Sequence, residues 1–143
     1  MQIKKHLRIL YGCDDRYEIV TNTIKVCGSY FDSVSILNAG PKEFYDNLRS
    51  RIPEYVKIEQ LHKFLEIESC RRALVDGIPL NDWVMWLDAD ERPSKELLFD
   101  LDNTIESAEV GGFDSVKLIW AEHTDGIAYP VREPRPKTHK ELL

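Results

Sequence analysis

Cysteine is scarce in this sequence: Cys13, Cys27 and Cys70 are the only three among 143 residues. They are odd in number, widely spaced and without a C-x-x-C pair. That excludes a disulfide framework and suits a reduced compartment, where thiols serve as small apolar side chains. No long apolar stretch follows the basic residues Lys4 and Lys5, so neither a signal peptide nor a membrane span is expected, and the expected address is the cytoplasm. No run of Lys and Arg stands out, and the formal net charge is -6. Backbone-directed nucleic-acid binding needs a basic face, so no nucleic-acid partner is expected. An anionic ligand stays compatible with this charge, because a bound divalent cation reverses the local field of an acidic site. No G-x-x-x-x-G-K-[ST] occurs, which removes a P-loop NTPase.

What is present is the material of one ordinary domain. Hydrophobic residues make up 43% of the chain, enough for a real core. Short apolar runs alternate with longer amphipathic ones. Strands are expected at Leu7–Tyr11, Ser33–Leu37, Val56–Glu59, Trp83–Leu87 and around Ser115 to Trp120. The intervening helices are read from Tyr17, Val20, Ile24 and Cys27, after a capping box of Asp15 and Glu18. A short helix over Lys42 to Arg49 follows, and then a stripe of Phe64, Ile67, Arg71 and Leu74. A further helix is capped by Ser94, with Leu97, Leu98, Leu101 and Ile105 inward. Trp83 to Leu87 is apolar without a break, the pattern of a central strand covered on both faces. Its tryptophans and Trp120 are read as core. Residues from Pro130 carry three prolines among charges and read as an extended or disordered tail over 130–143. The alternation predicts an α/β domain over 1–129, a three-layer α/β/α sandwich on a mostly parallel sheet. Ligands of such sheets bind beyond the carboxyl ends of the strands.

The chemistry-bearing residues do follow strands. Asp88, Asp90 and Glu91 come directly after Leu87, the last apolar residue of its run. Carboxylates one residue apart at a strand end can face a common ligand, and an oxygen-rich set of this kind suits Mg²⁺ or Mn²⁺ bridging to phosphate. Three carboxylates so close repel one another, which a cation relieves. The competing reading is a solvated acidic turn that complements the dipole of the next helix.

Trp83-Val84-Met85-Trp86-Leu87-Asp88-Ala89-Asp90-Glu91, followed by Pro93-Ser94 and a helix, resembles the D-x-D segment of family 2 glycosyltransferases with the GT-A fold. Arg71-Arg72-Ala73-Leu74 precedes it where that family has a basic helical segment. The likeness runs from about Leu7 to Ser107. The resemblance implies transfer of a sugar from a UDP- or GDP-sugar donor to an acceptor that the sequence does not specify, with Mn²⁺ or Mg²⁺ on the diphosphate. It implies Asp90 as metal ligand and Asp88 at the ribose or metal. Tyr11, Gly12 and Asp14 would lie near the base, and Arg71 would be a second cation at the phosphates. Asn38 stands where the family has an acidic loop, as a neutral substitute. For a catalytic base the family's second half leaves Asp114, Glu122, His123 and Asp125 as candidates. A non-catalytic, shortened glycosyltransferase-like domain that binds a nucleotide or a partner is the alternative, as is a partner chain supplying the acceptor half. A haloacid-dehalogenase-type phosphohydrolase would end its first strand in the D-x-D, whereas here the motif follows the fourth.

Overall fold

The computed structural model describes residues 3–12, 17–61, 67–116, 118, 121–124 and 127–130. They form two compact units, Met1–Asp102 and Asn103–Leu143. In the first, side-chain alternation builds the strands. β1 (Lys5–Tyr11) buries Leu7, Ile9 and Tyr11 on one face and leaves His6, Arg8 and Leu10 partly exposed on the other. β2 (Ser33–Asn38) is buried from its second residue onward, and β3 (Lys57–Gln60) buries Ile58 between exposed Lys57 and Glu59. β4 (Trp83–Asp88) buries Met85 and Leu87. α1 (Tyr17–Cys27) buries Val20, Thr23, Ile24 and Cys27, the spacing of one helical face. Burial pushes the Cys27 thiol up to about 11, with Arg92 opposing, so it is a neutral core residue at physiological pH.

α2 (Lys42–Arg51) ends where Arg49 donates to the carbonyls of Val56 at 2.9 Å and Pro53 at 2.7 Å. That one guanidinium ties the Pro53 bend down, so the chain turns into β3. α3 (Ile67–Leu74) precedes β4. α4 (Lys95–Phe99) begins as the sequence predicts: the Ser94 hydroxyl accepts from the Leu97 amide at 3.1 Å. α5 (Leu101–Val110) closes in a Schellman turn, with Phe113 N donating to Ala108 O at 2.8 Å and Gly112 at φ +74°. Only glycine takes that left-handed position without penalty.

The four strands are all parallel, in the order β3-β2-β1-β4. Residues level with each other share a face of the sheet. Leu7, Ile9 and Tyr11 therefore join Val34, Ile36, Met85 and Leu87 on one face. His6, Arg8, Ser33, Ser35, Trp86 and Asp88 share the other. Right-handed crossovers carry α1 and α2 to one face and α3 to the opposite one. Ring contacts agree: Phe44 of α2 meets Tyr11 edge-on at 6.1 Å, while Arg71 of α3 lies over Trp86 on the other side. This arrangement is compatible with a three-layer α/β/α fold. The first three strands step one way across the sheet, and β4 lands on the far side of β1. The strand order reverses between β1 and β4, which makes their carboxyl ends the switch point where such sheets take ligands.

Four expectations are corrected. β4 is an edge strand among the described residues, not a central one. Its unbroken apolar run reports cover on its two faces and says nothing of its neighbours within the sheet. The helix after Ser94 breaks at Asp100 into α4 and α5. Of the strand expected around Ser115 to Trp120, Ser115, Val116 and Leu118 are not in a strand, and Lys117, Ile119 and Trp120 lie outside the described residues; β5 is Ala121–Thr124. It pairs antiparallel with β6 (Ile127–Pro130) in the second unit. Pro130, read as the start of the tail, thus closes a strand. Residues 131–143 lie outside the described residues, as do Asp15 of the proposed capping box and Phe64 of the α3 stripe. No described helix is long and apolar enough to cross a membrane.

Candidate functional site

Asp88 is the last residue of β4 and sits level with Leu10 of β1. The chain then turns tightly, with the Glu91 amide donating to the Asp88 carbonyl at 3.0 Å. The Glu91 carboxylate folds back and accepts from the Asp88 amide at 2.7 Å. Ala89 is buried inside this turn and Asp90 is exposed at its tip. Of the three acids, Glu91 is therefore spent on closing the turn, in the manner of a reciprocal cap. Asp88 and Asp90 remain.

The Asp88 carboxylate points to the α3 side of the sheet, where its Oδ1 is buried without a hydrogen-bond partner among the described residues. Burial raises its pKa above the usual carboxylate range, the Arg71 charge opposes that, and Asp90 adds to it. Glu91 is also raised, by burial first; the Asp88 amide and Arg71 pull it back, and its two acidic neighbours push it up. The guanidinium of Arg71 lies 4.9 Å from the Trp86 ring centroid, a cation-π distance, and its Nε is buried and has no partner among the described residues. An anion and a cation thus face the same space, each holding back one buried polar atom. Such an orphan costs about 1–3 kcal/mol and calls for an explanation.

The other sequence candidates fall in different places. Gly12 is exposed at the end of β1, and a Cβ built on it meets nothing within 4 Å among the described residues. Tyr11 is fully buried against Phe44. Asn38 is fully buried too, and its amide holds the turn into α2. Its Nδ2 donates to Pro41 O at 2.9 Å and to Gln60 Oε1 at 2.7 Å, and its Oδ1 accepts from Gly40 N at 3.0 Å. Asp14 and Asp125 lie outside the described residues. Glu122 and His123 sit on β5 opposite Tyr129 and Ala128, and Asp114 is exposed; all three belong to the second unit. The switch point therefore gathers Gly12, Arg71, Asp88 and Asp90. Two residues here take roles other than those read from the sequence, where Trp86 is core and Glu91 a third carboxylate beside Asp88 and Asp90. Trp86, read as core, is the platform for Arg71, and Glu91 is the clamp. Glu91 had a signal in its spacing of three from Asp88; Trp86 had none.

Among the described residues no group of three His, Cys, Asp or Glu side chains converges in a way that could hold a metal ion. The acids left are two, Asp88 and Asp90. That number fits Mg²⁺ or Mn²⁺, which take one or two carboxylates and complete their shells with water and substrate phosphate. The orphaned Asp88 oxygen and its raised pKa are what such a cation would satisfy. In comparison with known proteins, no family model and no curated protein matches this chain.

Proposed function

We propose that this chain binds a nucleotide diphosphate-sugar at the β1/β4 switch point and is a metal-dependent glycosyltransferase. The observation that carries the reading is the buried Asp88 oxygen, without a partner among the described residues, facing Arg71 where the strand order reverses. Asp88 and Asp90 would hold the cation, and when bound it supplies charge neutralisation to a departing diphosphate. The chain's own part is electrostatic. Arg71, steadied by the Trp86 face, presents a fixed positive charge that needs no reorganisation as phosphate charge develops. Exposed at the end of β1, Gly12 would lie near the base and ribose. The resemblance of Trp83 to Ser94 to the D-x-D segment of family 2 glycosyltransferases supplies the sugar donor in this reading. The cytoplasm remains the proposed address.

Calorimetric titration of UDP and of GDP, each with Mn²⁺ and with chelator, is the test. We expect one nucleotide to bind only with metal, and Asp90→Ala to abolish that binding with the fold intact, since Asp90 is exposed at a turn tip. No binding of either nucleotide under any condition would return the cluster to a solvated turn. Slow hydrolysis of the matching nucleotide-sugar separates an enzyme from a binding module, which would hold the donor unchanged.

A further inference from the structure

The opposite end of the same sheet holds a second cluster. His6 near the start of β1, Ser33 at the start of β2 and Asp82 just before β4 meet there on the α3 face. His6 Nδ1 lies 2.6 Å from Ser33 Oγ, and His6 Nε2 lies 2.8 Å from Asp82 Oδ2. Arg8 Nη1 donates to the same Ser33 oxygen at 3.0 Å. Arginine only donates, so Ser33 Oγ accepts from it and can pass its own proton to His6 Nδ1. His6 then carries its proton on Nε2 and gives that hydrogen bond to Asp82. The chain of donors runs one way: Arg8, Ser33, His6, Asp82. It lies about 13 Å from Asp88 along the strands, four residues of rise.

We propose that Ser33 is an activated nucleophile, with His6 as its general base and Asp82 as the residue that orients His6, acting on small acyl esters. The geometry is that of a hydroxyl within hydrogen-bond reach of a base that a carboxylate fixes, which is how serine is made reactive on unrelated folds. Here the serine meets Nδ1 and the acid meets Nε2, the reverse of the usual assignment. Both imidazole nitrogens can serve either role, and which one carries the proton is set by the partner of the other. Arg8, with Nη1 3.0 Å from Ser33 Oγ, supplies positive charge beside an oxyanion formed at Ser33.

In the step proposed, Ser33 Oγ forms a bond to the acyl carbon as its proton passes to His6. The ester C–O bond breaks, and the alkoxide leaves as an alcohol with that proton. Water then adds to the acyl-serine, giving its proton to His6. The C–O bond to Ser33 breaks, the carboxylic acid is released, and Ser33 regains its proton from His6. No oxidant or further reactant is needed.

The test is incubation of the full chain with an alkyl fluorophosphonate, read by intact mass and by peptide mapping, with p-nitrophenyl acetate as a turnover substrate. One adduct on Ser33 is expected, absent in Ser33→Ala. His6→Gln should slow labelling by about a hundredfold or more, the low end of what a general base contributes. Asp82→Asn should slow it too, and Asp82→Glu should restore part of the rate, which a merely structural role would not require. Folded wild-type protein that takes no adduct at Ser33 overturns the proposal, whatever the variants do. Labelling of Ser33 at equal rates in folded wild type and His6→Gln overturns it as well, because the hydroxyl would then be only exposed.

Discussion

At the scale of single residues, Asp88 sets function against stability. Its carboxylate has a raised pKa in the fold, as does that of Glu91, so the ionised forms are the less favourable ones there. For an acid raised in the fold, the stabilising contribution is complete below the unfolded pKa and is lost as pH rises through the folded pKa. At neutral pH both groups therefore weaken the apo protein. Asp88→Asn should be more stable than wild type to urea at pH 7. That gain should shrink as pH is lowered through the acidic range, where the wild-type group takes up its proton. The same variant should lose metal-dependent nucleotide affinity by at least about tenfold, or 1.4 kcal/mol. Urea midpoints at two pH values and one titration check both halves. A variant less stable at pH 7 would mean that Asp88 is a structural group whose partner is already in place. Sites that gain stability when disarmed are a recurrent mark of function.

At the scale of elements, the local grammar of this chain is carried by a few polar contacts. Ser94 caps α4 with its hydroxyl on the Leu97 amide, and Leu98 is the one residue of that helix fully buried. With only five residues, α4 has little else to hold its first turn. Ser94→Ala should therefore cost about 1 kcal/mol, as at other serine N-caps. Denaturant unfolding with an unchanged m-value is the measurement. The cap lies just beyond the Asp88–Glu91 turn, so metal-dependent affinity should be retained if the turn is held by Glu91 alone. Asn38 and Arg49 do comparable duty at the two ends of α2, one opening it and one closing it. Asn38 was readable as a turn residue from Asn38-Ala39-Gly40-Pro41, but its burial was not.

At the scale of the molecule, β1 is the centre of the four-stranded sheet, flanked by β2 and β4, and its inward residues Leu7, Ile9 and Tyr11 are fully buried. Backbone amides of β1 and β2 should exchange with solvent most slowly. Those β4 amides that point away from β1 should exchange faster, because among the described residues no strand pairs with that edge. Hydrogen exchange followed by NMR reads this directly. Slow exchange along the whole of β4 would reveal cover on its outer edge and would refute the edge assignment. The Asp88 amide, bound by Glu91, is the one outward group expected to stay protected.

Periodicity by itself determined the first four strands, the helix faces around Val20 and Ile24, and the Ser94 cap, because these rest on neighbours within a few residues. It also placed the acids after a strand, and so at a sheet end. Local pattern determined less where pairing decides. Thr124-Asp125-Gly126-Ile127 carries a hairpin signal, yet the apolar pattern predicts a strand a few residues earlier, around Ser115 to Trp120. Tertiary structure alone decided that β4 lies beside β1 at the switch point, because strand order is set by crossovers whose length and handedness no window of sequence contains. It alone brought Arg71 over Trp86, and brought His6, Ser33 and Asp82, drawn from three separate segments, within hydrogen-bond reach. Side chains far apart in the chain become chemistry only when the sheet sets their register.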